Sequence, residues 1–366
     1  MNELELARNQ INEIDEQMAR LFESRMKACE TVAAYKKQNG LSIRDPEREK
    51  DLINRNRSYV QDENISSYYV RFLKNTIDLS CAYQSRLMNG MKVAYSGVPG
   101  AFAYIAAKRM FPDAELVAFK DFTSAYESVE KGEMDAVVLP LENSYAGEVG
   151  TVMDLIFSGE LFINQVIDLD IVHNLLAPKG AAIDSIKKVY SHPQALSQCD
   201  EFISAHNLDS EAYSNTAAAA EFVSKSGDTS IAAIASDETA KIFGLEIIER
   251  NINSSRSNTT RFAAFSRSQS KPVDIKKRED ENFILVFTVQ NEAGSLAQTL
   301  NIIGAHGFNM RNLRSRPMKD LLWNYYFFVE AEGRINSTNG REMLQELSAT
   351  CAKLRLAGTY YSNNIG

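Results

Sequence analysis

The sequence predicts a multidomain protein in which an all-α block is followed by an α/β block and then by an α+β block. Residues 1 to about 88 carry apolar residues at helical spacing and show no strand-like alternation. At Asn89-Gly90 the pattern changes to short apolar strands that alternate with helices, as in α/β sheets. After a polar segment, 268–281, the elements follow in the order βαββαβ. We therefore expect domains at 1–88, 91–268 and 282–363.

The composition excludes several classes of function. The chain of 366 residues is 44% apolar and 24% charged, which is ordinary for a globular protein. Its net charge of −8 argues against nucleic-acid and anionic-membrane partners, which need a basic face. No apolar run reaches the roughly 18 residues of a membrane span, and the acidic start lacks signal-peptide features. Four scattered cysteines without a CxxC pair predict reduced thiols, a cytoplasmic location and no metal site.

The first block is predicted to be three helices. The first is a long apolar seam that ends at Gly40 in the manner of a C-cap. Asp45-Pro46 then resembles the start of a second helix, and a third helix runs from about Ser66 to Met88. Because three helices of such unequal length enclose a core poorly, we expect the seam to pack against a second copy. The seam residues are Leu4, Ala7, Ile11, Ile14, Met18, Leu21, Ala28, Val32 and Tyr35.

Cations interrupt this seam. Arg25 lies where the spacing predicts an apolar residue, and a buried guanidinium is costly unless an anion meets it. Lys36 falls on nearly the same helical face. Arg8 lies 17 positions before Arg25, about 25 Å along the axis at ~1.5 Å per residue. One small ligand could therefore contact both arginines only if Arg8 came from an antiparallel partner chain.

Further polar residues of this block recur at helical spacing. Asp45, Arg48 and Glu49 share one face, as do Ser80 and Gln84. Any one of them could be ordinary solvated surface. Together the set resembles the all-helical chorismate mutase domain. The eight residues that stand on the active-site positions of that family are Arg8, Arg25, Lys36, Asp45, Arg48, Glu49, Ser80 and Gln84.

The resemblance implies a chemistry that suits these residue types. Chorismate, a dicarboxylate, rearranges through a chair-like transition state, so the protein needs only to hold one conformer and stabilise charge on the ether oxygen. Arg25 and Arg8 of the partner subunit would clamp the carboxylates. Lys36 and Gln84 would donate to the ether oxygen, while Glu49 and Ser80 would orient the substrate. The implied catalytic set is Arg8, Arg25, Lys36, Arg48, Glu49 and Gln84, with Asp45 and Ser80 binding substrate.

Three motifs of the second block lie at the ends of predicted strands. Glu142-Asn143-Ser144 follows the strand 135–141, and Ser191-His192-Pro193-Gln194 follows a strand and opens a helix. Asn258 to Phe262 precede the last strand. Each motif alone is weak, although ligands of α/β sheets gather at the carboxyl ends of strands. In this order, the motifs resemble prephenate dehydratase, whose fold is two α/β lobes around a cleft, similar to periplasmic binding proteins.

The dehydratase resemblance implies Thr260 as the catalytic hydroxyl. A threonine is a poor acid, so it needs a neighbour that the sequence does not identify. Arg261 is the obvious anchor for a carboxylate, though as a strand residue it could equally face away. We expect His192 to cap a helix. The other implied substrate-binding residues are Glu142, Asn143, Ser144, Ser191, Gln198 and Phe262, and no function is assigned to His173, His206 or His306.

The third block resembles an ACT regulatory domain, which has a ferredoxin-like fold and binds phenylalanine. Gly294, Ser295, Leu296 and Ala297 open its first helix, where backbone N–H groups can receive a carboxylate. Phenylalanine-sensing members usually carry glutamate where this chain has Arg314, so we expect weakened binding. A purely structural dimerisation module is the alternative. The second motif consists of Arg314, Ser315, Arg316 and Pro317.

The resemblances together imply a cofactor-independent, bifunctional enzyme that makes phenylpyruvate for phenylalanine synthesis. Its substrates would be chorismate and prephenate, its effector L-phenylalanine and its assembly a homodimer or higher homo-oligomer. Two alternatives remain open. Only one of the two domains could be catalytically active, or the chain could be a non-catalytic small-molecule sensor.

Overall fold

A computed structural model describes residues 2–255, 257–269, 281–318 and 324–361. The chain divides into two compact units, Met1–Met91 and Lys92–Gly366. Most of the predicted linker 268–281 lies outside the described residues, as does residue 363, the expected end of the third domain.

The first unit consists of three helices: α1 (Glu3–Asn39), α2 (Pro46–Arg57) and α3 (Glu63–Asn89). Gly40 adopts the left-handed conformation that ends α1, with φ of 62°. The Asp45 carboxylate accepts from the backbone N–H of Arg48 at 3.1 Å and caps α2. The predicted end of α1 at Gly40 and the predicted start of α2 at Asp45 are therefore confirmed.

Helix α1 exposes most of its apolar seam. Its buried residues, Cys29 and Ala33, lie in the C-terminal third of the helix, where it packs against α3. No helix of the described ranges is long and apolar enough to cross a membrane. Among the described residues, most of this seam is not covered by another surface. The large apolar seam residues that are 43% to 71% exposed are Leu4, Ile11, Ile14, Met18, Leu21 and Tyr35.

The second unit begins with two α/β lobes. The chain crosses from the first lobe to the second after β5 and returns before β11, which pairs between β3 and β5. The second lobe holds the five-stranded sheet β10-β6-β9-β7-β8. The elements of the first lobe are β1 (Lys92–Ser96), α4 (Phe102–Met110), β2 (Glu115–Phe119), α5 (Phe122–Glu130), β3 (Ala136–Asn143), β4 (Gly147–Glu148), α6 (Gly150–Ser158), β5 (Phe162–Asp170) and β11 (Thr259–Ser266). Those of the second lobe are β6 (Asn174–Ala177), a 3-10 turn (Ile183–Ser185), β7 (Lys188–Ser191), α7 (Pro193–Ser197), α8 (Asp200–Ala205), β8 (Asp209–Ala212), α9 (Thr216–Ser226), β9 (Ile231–Ala235), α10 (Asp237–Phe243) and β10 (Glu246–Glu249).

The C-terminal part has the predicted βαββαβ order. Its strands pair antiparallel in the order β13-β14-β12-β15, and α11 and α12 cover one face. The opposite face contributes Ile284 and Val286 to a core shared with Val152 and Ile156 of α6. The first lobe therefore covers the sheet face that the two helices leave open. The elements are β12 (Glu281–Thr288), α11 (Ser295–Ala305), β13 (Asn309–Pro317), β14 (Tyr325–Glu332), α12 (Thr338–Thr350) and β15 (Lys353–Tyr361).

Some strands were not predicted from the sequence. β5, β6, β8 and β10 carry no assignment in the sequence analysis, and β8 is the polar sequence Asp-Ser-Glu-Ala at an edge of its sheet. A strand without apolar alternation gives no periodic signal. The structure also corrects two ends. β3 continues through Asn143, and Thr259 to Phe262 lie within β11 and not before it.

The strands of the first lobe and those of the C-terminal part join at Gly358. This residue of β15 pairs in parallel with Ile163 of β5, and the union forms one ten-stranded sheet. A Cβ atom at Gly358 would lie 2.1 Å from the Ile163 carbonyl oxygen and 2.7 Å from its nitrogen. Both atoms belong to the backbone of a buried strand. The close approach of the two strands therefore requires glycine.

Gly358→Ala is expected to destabilise the second unit by about 1–3 kcal/mol, because the strands must separate to admit the methyl group. The measurement is the urea midpoint of that unit. Gly304→Ala is the control, since a Cβ there meets no atom within 4 Å and the helical position favours alanine. Equal midpoints for the Gly358 variant and the unchanged protein would contradict the requirement for glycine.

Candidate active sites

A polar face lies between α1 and α3 in the helical unit. The Arg25 guanidinium donates to Ser80 Oγ and, at 3.4 Å, to the carbonyl oxygen of Thr76. Gln84 lies one turn beyond Ser80, and both side chains are buried. Within the described part of the chain, Gln84 Oε1 has no hydrogen-bond partner and both contacts of Arg25 are neutral oxygens. The guanidinium is therefore available to an anion.

A second group of charges lies where α1 connects to α2. Lys36 Nζ donates to the carbonyl oxygen of Ile43. Arg44 lies 3.3 Å from Glu49 and also pairs with Asp78 of α3. Arg44 received no function from the sequence, because a residue in a short connection has no periodic position from which its contacts follow. Its pairing holds Glu49 toward α3.

The remaining residues of the predicted mutase set are more exposed. Asp45 is used as the cap of α2, and Arg48 in the first turn of that helix is exposed. Arg8 is exposed on α1 and lies about 25 Å along the helix axis from Arg25. A single chain therefore does not bring Arg8 into the group around Arg25.

A cleft of about 530 Å³ lies between the two lobes of the second unit. This volume is in the range typical of small-molecule sites. Of the predicted residues, Asn143, Gln198, Thr260 and Phe262 line the cleft. Other lining residues are Ser96, Gly97, Phe102, Lys120, Pro140, Glu148, His173, His192, Gln194, Asn215 and Thr216.

Thr260 and Asn143 face each other across the pair of strands β3 and β11. Asn143 Nδ2 donates to Thr260 Oγ1 at 2.8 Å and to Asn258 Oδ1 at 2.9 Å. The other end of the Asn143 amide is also fixed, because Oδ1 accepts from the backbone N–H of Tyr145 and of Ala146. Since Oγ1 of Thr260 accepts from Asn143, its own proton remains available to donate. Asn143 is the neighbour of Thr260 that the sequence did not identify.

The structure places Ser144 and Ser191 away from the cleft surface. Ser191 is fully buried, and its hydroxyl donates to the carbonyl oxygen of Ile234 at 2.6 Å. Ser144 Oγ donates to the carbonyl oxygen of Ser257 at 2.8 Å. Both hydroxyls hold neighbouring backbone segments together, and neither residue is among those that line the cleft, where contact with a substrate was expected.

Arg261 and Glu142 lie on the opposite side of the sheet from the cleft. They are the strand neighbours of Thr260 and Asn143, and consecutive strand residues face opposite sides. The Arg261 guanidinium binds the Glu330 carboxylate through both terminal nitrogens, at 3.0 and 2.9 Å, and lies 3.4 Å from Glu142. Arg314 pairs with the other oxygen of Glu142. Arg261 is thus an anchor for the third domain and faces away from the cleft, which is the second of the two orientations that the sequence left open.

These four residues, Arg261, Glu330, Glu142 and Arg314, form what we call the interface cluster. Glu330 is buried and also accepts from the Tyr360 hydroxyl. Burial alone lowers the pKa of Arg261, but its hydrogen bonds and charge pairing with Glu330 raise that pKa overall. Two cations and two carboxylates meet in this cluster, and the exposed Asp168 carboxylate also lies 3.3 Å from Nε of Arg261.

The motif residues of the third domain divide between two faces of β13. Arg314 is only 16% exposed, and Arg316 pairs with Glu148 at 2.7 Å and Asp154 at 3.2 Å. Ser315 and Pro317 are exposed on the other face. Gly294 precedes α11 with φ of 90° and supplies no side-chain cap. The backbone N–H of Ser295 donates to the carbonyl oxygen of Glu292 at 3.3 Å, so the N–H groups of Leu296 and Ala297 are the ones left for a ligand in the first turn.

The histidines differ in their contacts. His192 Nδ1 accepts from the backbone N–H of Gln194 at 3.3 Å, which confirms the expected cap of α7. His173, which received no function from the sequence, lines the cleft and contacts Gln198. Nothing near it in the sequence signals this position. Among the described residues, no group of three or more His, Cys, Asp or Glu side chains could hold a metal ion.

Comparison with known proteins gives three consecutive family matches. The model for chorismate mutase type II matches residues 7–85, that for prephenate dehydratase 93–270 and that for the ACT domain 283–347.

Whole proteins give the same picture. A bifunctional chorismate mutase/prephenate dehydratase from Buchnera aphidicola subsp. Schizaphis graminum is 31% identical over 100% of this chain and 98% of its own length. The structure of prephenate dehydratase from Arthrobacter aurescens in complex with L-Phe is 27% identical, with a TM-score of 0.67, and the match covers 74% of this chain and 90% of that one. A protein described as a novel type of quorum-quenching acylase is 28% identical with a TM-score of 0.68, covering 75% and 98%.

Proposed function

This chain belongs to the family of bifunctional chorismate mutase/prephenate dehydratases, and from that membership we infer how its two sites divide the work. The protein rearranges chorismate to prephenate and converts prephenate to phenylpyruvate, the precursor of phenylalanine. The observation that carries this conclusion is the relative matched over the whole chain, with the three family domains in the same order. The residue assignments below are proposals.

For the mutase reaction, the site lies on the polar face between α1 and α3. The guanidinium of Arg25 binds a substrate carboxylate, supported by its lack of a carboxylate partner among the described residues. Lys36 and Gln84 donate to the ether oxygen as negative charge develops on it. The buried Oε1 of Gln84 is then the end of the amide that faces away from the substrate. Electrostatic stabilisation of this kind needs no proton transfer and no covalent intermediate.

We propose that Arg8 serves the site of a partner subunit in a homodimer. Arg8 is about 25 Å from Arg25 along α1, and the first two thirds of that helix expose an apolar seam. Packing two such helices antiparallel would cover both seams and carry each Arg8 toward the other Arg25. The free state of the four cysteines supports a reducing location, and we propose the cytoplasm.

For the dehydratase reaction, Thr260 donates its hydroxyl proton to the departing ring hydroxyl of prephenate. The Asn143 amide favours this by occupying Oγ1 with an N–H donor, so the hydroxyl hydrogen points elsewhere. The reaction takes up one proton and releases water and CO2, and the formation of the aromatic ring drives it. Thr260 recovers its proton from solvent that enters the open cleft.

The cleft also offers positive potential for a dicarboxylate. Helix α4 begins at Phe102 with no side-chain cap, so its first N–H groups are available beside the lining residue Lys120. Asn143 and Gln198 add neutral amide donors. We propose that these groups receive the prephenate carboxylates, in place of Arg261.

L-Phenylalanine is proposed as the effector that binds the ACT domain, because the Arthrobacter relative was crystallised with L-Phe. The interface cluster supplies a direct route from that domain to the cleft. Arg314 of β13 holds Glu142, and the next residue of β3 is Asn143, which binds Thr260. A ligand that shifts β13 would therefore act on the catalytic hydroxyl through two neighbouring residues.

The fold alone does not decide the activity, since the quorum-quenching acylase shares it. The helical domain favours a dehydratase over an acylase, because the product of the mutase reaction, prephenate, is the substrate of a dehydratase. A non-catalytic sensor would need neither Arg25 between the helices nor Thr260 at the cleft.

The mutase prediction uses subunit mixing. Arg8→Ala and Arg25→Ala are each expected to lose chorismate turnover by about 10²–10³-fold, because each removes a charge contact in the transition state. Refolding the two variants together should restore about one quarter of the sites, since each mixed dimer regains one complete site. Turnover of added prephenate by the same samples shows that the chains fold. The control Arg20→Ala removes an exposed pair on the same helix and should change nothing. Mixtures without activity would contradict the shared site.

The dehydratase prediction concerns Thr260→Val, which keeps the branched shape and deletes the hydroxyl. Phenylpyruvate formation should fall by on the order of 10²-fold or more, while chorismate turnover is unchanged. Thr259→Val is the matched control, since that hydroxyl donates to Asp170 at 2.9 Å and does not line the cleft. Appreciable phenylpyruvate formation by the Thr260 variant would remove this residue from the mechanism.

The regulatory prediction separates binding from inhibition. Arg314→Gln removes a cation near the proposed amino-acid site, so phenylalanine affinity measured by calorimetry should be equal or higher. Inhibition of the dehydratase should nevertheless weaken, because the variant releases Glu142 from the ACT domain. The control is Arg311→Gln. Arg311 lies on the same strand as Arg314, and this change breaks its exposed pair with Glu332 of β14. If inhibition follows affinity in both variants, the interface cluster does not transmit the signal.

A further inference from the structure

One buried titratable group at the cleft has no part in the mechanism above. His173 is 2% exposed and lies in the segment that joins β5 of the first lobe to β6 of the second. Its backbone is fixed on both sides by the returning segment. The backbone N–H of His173 donates to Asn253 Oδ1 at 2.7 Å, and its carbonyl oxygen accepts from Ile252 at 2.9 Å.

The imidazole ring is held between the two lobes. It packs edge-on against Phe102 of the first lobe, with ring centroids 5.6 Å apart. On the other side, Nε2 lies 2.9 Å from Oε1 of Gln198 in the second lobe. Because both the ring and its backbone are fixed, this nitrogen offers Gln198 one position for a hydrogen bond.

The protonation state of His173 follows from its surroundings. Burial lowers the pKa of the imidazole, although the hydrogen bond to Gln198 opposes that shift. A neutral imidazole carries one N–H, and the Gln198 oxygen requires that it be on Nε2. Nδ1 is then an acceptor, and nothing within the described residues donates to it. His173 is therefore not arranged to supply the proton of the reaction.

The contact with His173 determines which end of the Gln198 amide the cleft receives. The amide has an acceptor end and a donor end, and both could be presented to a ligand. With Oε1 bound to His173, the NH2 group is the end left for the cleft that Gln198 lines. Prephenate is a dicarboxylate, so a donor attracts it and a carbonyl oxygen would repel it.

We propose that His173 is a positioning residue of the dehydratase, which fixes the Gln198 amide so that its NH2 group donates to a carboxylate of prephenate. This inference rests on the proposed dehydratase site and deepens it. His173 acts through Gln198 and does not touch the substrate itself. It also ties the orientation of a second-lobe side chain to the segment that joins the lobes.

The test is a double-mutant cycle on kcat/KM for prephenate. His173→Leu removes the donor and should lower kcat/KM by on the order of tenfold, the usual cost of a misdirected buried hydrogen bond. His173→Gln places an amide N–H near the position of Nε2 and should recover most of the loss. Gln198→Leu should cost more, and adding His173→Leu to it should cost nothing further, because the two residues act as one unit.

Controls separate this function from a structural one. His206→Gln alters a histidine that bonds only its own helix at Phe202, and it should leave kcat/KM unchanged. Chorismate turnover and urea midpoints show whether each variant folds. Gln198→Glu provides a test that leaves His173 intact. The glutamate keeps an acceptor for Nε2 of His173 but places a negative charge in the cleft. Because this charge repels the carboxylates of prephenate, kcat/KM should fall at least as far as in Gln198→Leu.

Three outcomes would overturn the proposal. They are normal kcat/KM in folded His173→Leu, losses that add in the double variant, and normal kcat/KM in Gln198→Glu. Thr260→Val, measured in parallel, reports separately on the proposed function. If the Thr260 variant is active, the proposed catalytic function of Thr260 is wrong. If the Thr260 variant is inactive and the losses in the His173 and Gln198 variants add, only the proposed function of His173 is wrong.

Discussion

The pairing of β3 with β11 is the constraint on which the second unit depends. Its register places Thr260 opposite Asn143 and Arg261 opposite Glu142. Because neighbouring strand residues face opposite sides, the first pair reaches the cleft and the second reaches the ACT domain. A slip of one residue would exchange the two faces and carry a guanidinium into the site. The buried core residues Ala263 and Phe265 in the same strand oppose such a slip.

The interface cluster shows how charge is balanced behind that strand pair. Arg261 and Arg314 meet Glu142 and Glu330, and burial makes an unpaired member costly. A glutamate at position 314 would add a third carboxylate beside Glu142 and Glu330 and remove one of the two guanidinium groups that pair with them. Arg314 is therefore matched to Glu142 within this chain. Such a buried network defines the geometry of the contact more than it adds stability.

The helical unit also depends on the placement of charged side chains, but for a reaction without proton transfer. Its reaction needs a preorganised set of charges and no proton carrier, so cations and amides placed between helices are sufficient. Arg25 is held by Ser80 and by a backbone carbonyl, which leaves its charge uncompensated until an anion arrives. The same long helix carries an exposed apolar seam, and this seam and the position of Arg8 both agree with the proposed homodimer.

The sequence by itself determined the local structure and the chemical identity of the sites. Helical periodicity and caps gave α1 and its end at Gly40, and the order of strands and helices gave the βαββαβ domain, because these features depend on neighbouring residues. The two reactions were implied by a family resemblance, which rested on the polar residues at helical spacing and on Thr260 in its motif. Strands without apolar alternation, such as β8, gave no local signal and escaped prediction.

Only the tertiary structure decided the direction of individual side chains. Arg261 turned away from the cleft, Ser191 was used to bind Ile234, and His173 reached Gln198. Each outcome depends on which distant strand or segment lies alongside. Asn143 and Thr260 are separated by 117 positions, yet one hydrogen bond between them determines where the hydroxyl proton points. Contacts of this range follow from the packing of whole elements, and no local pattern of residues encodes them.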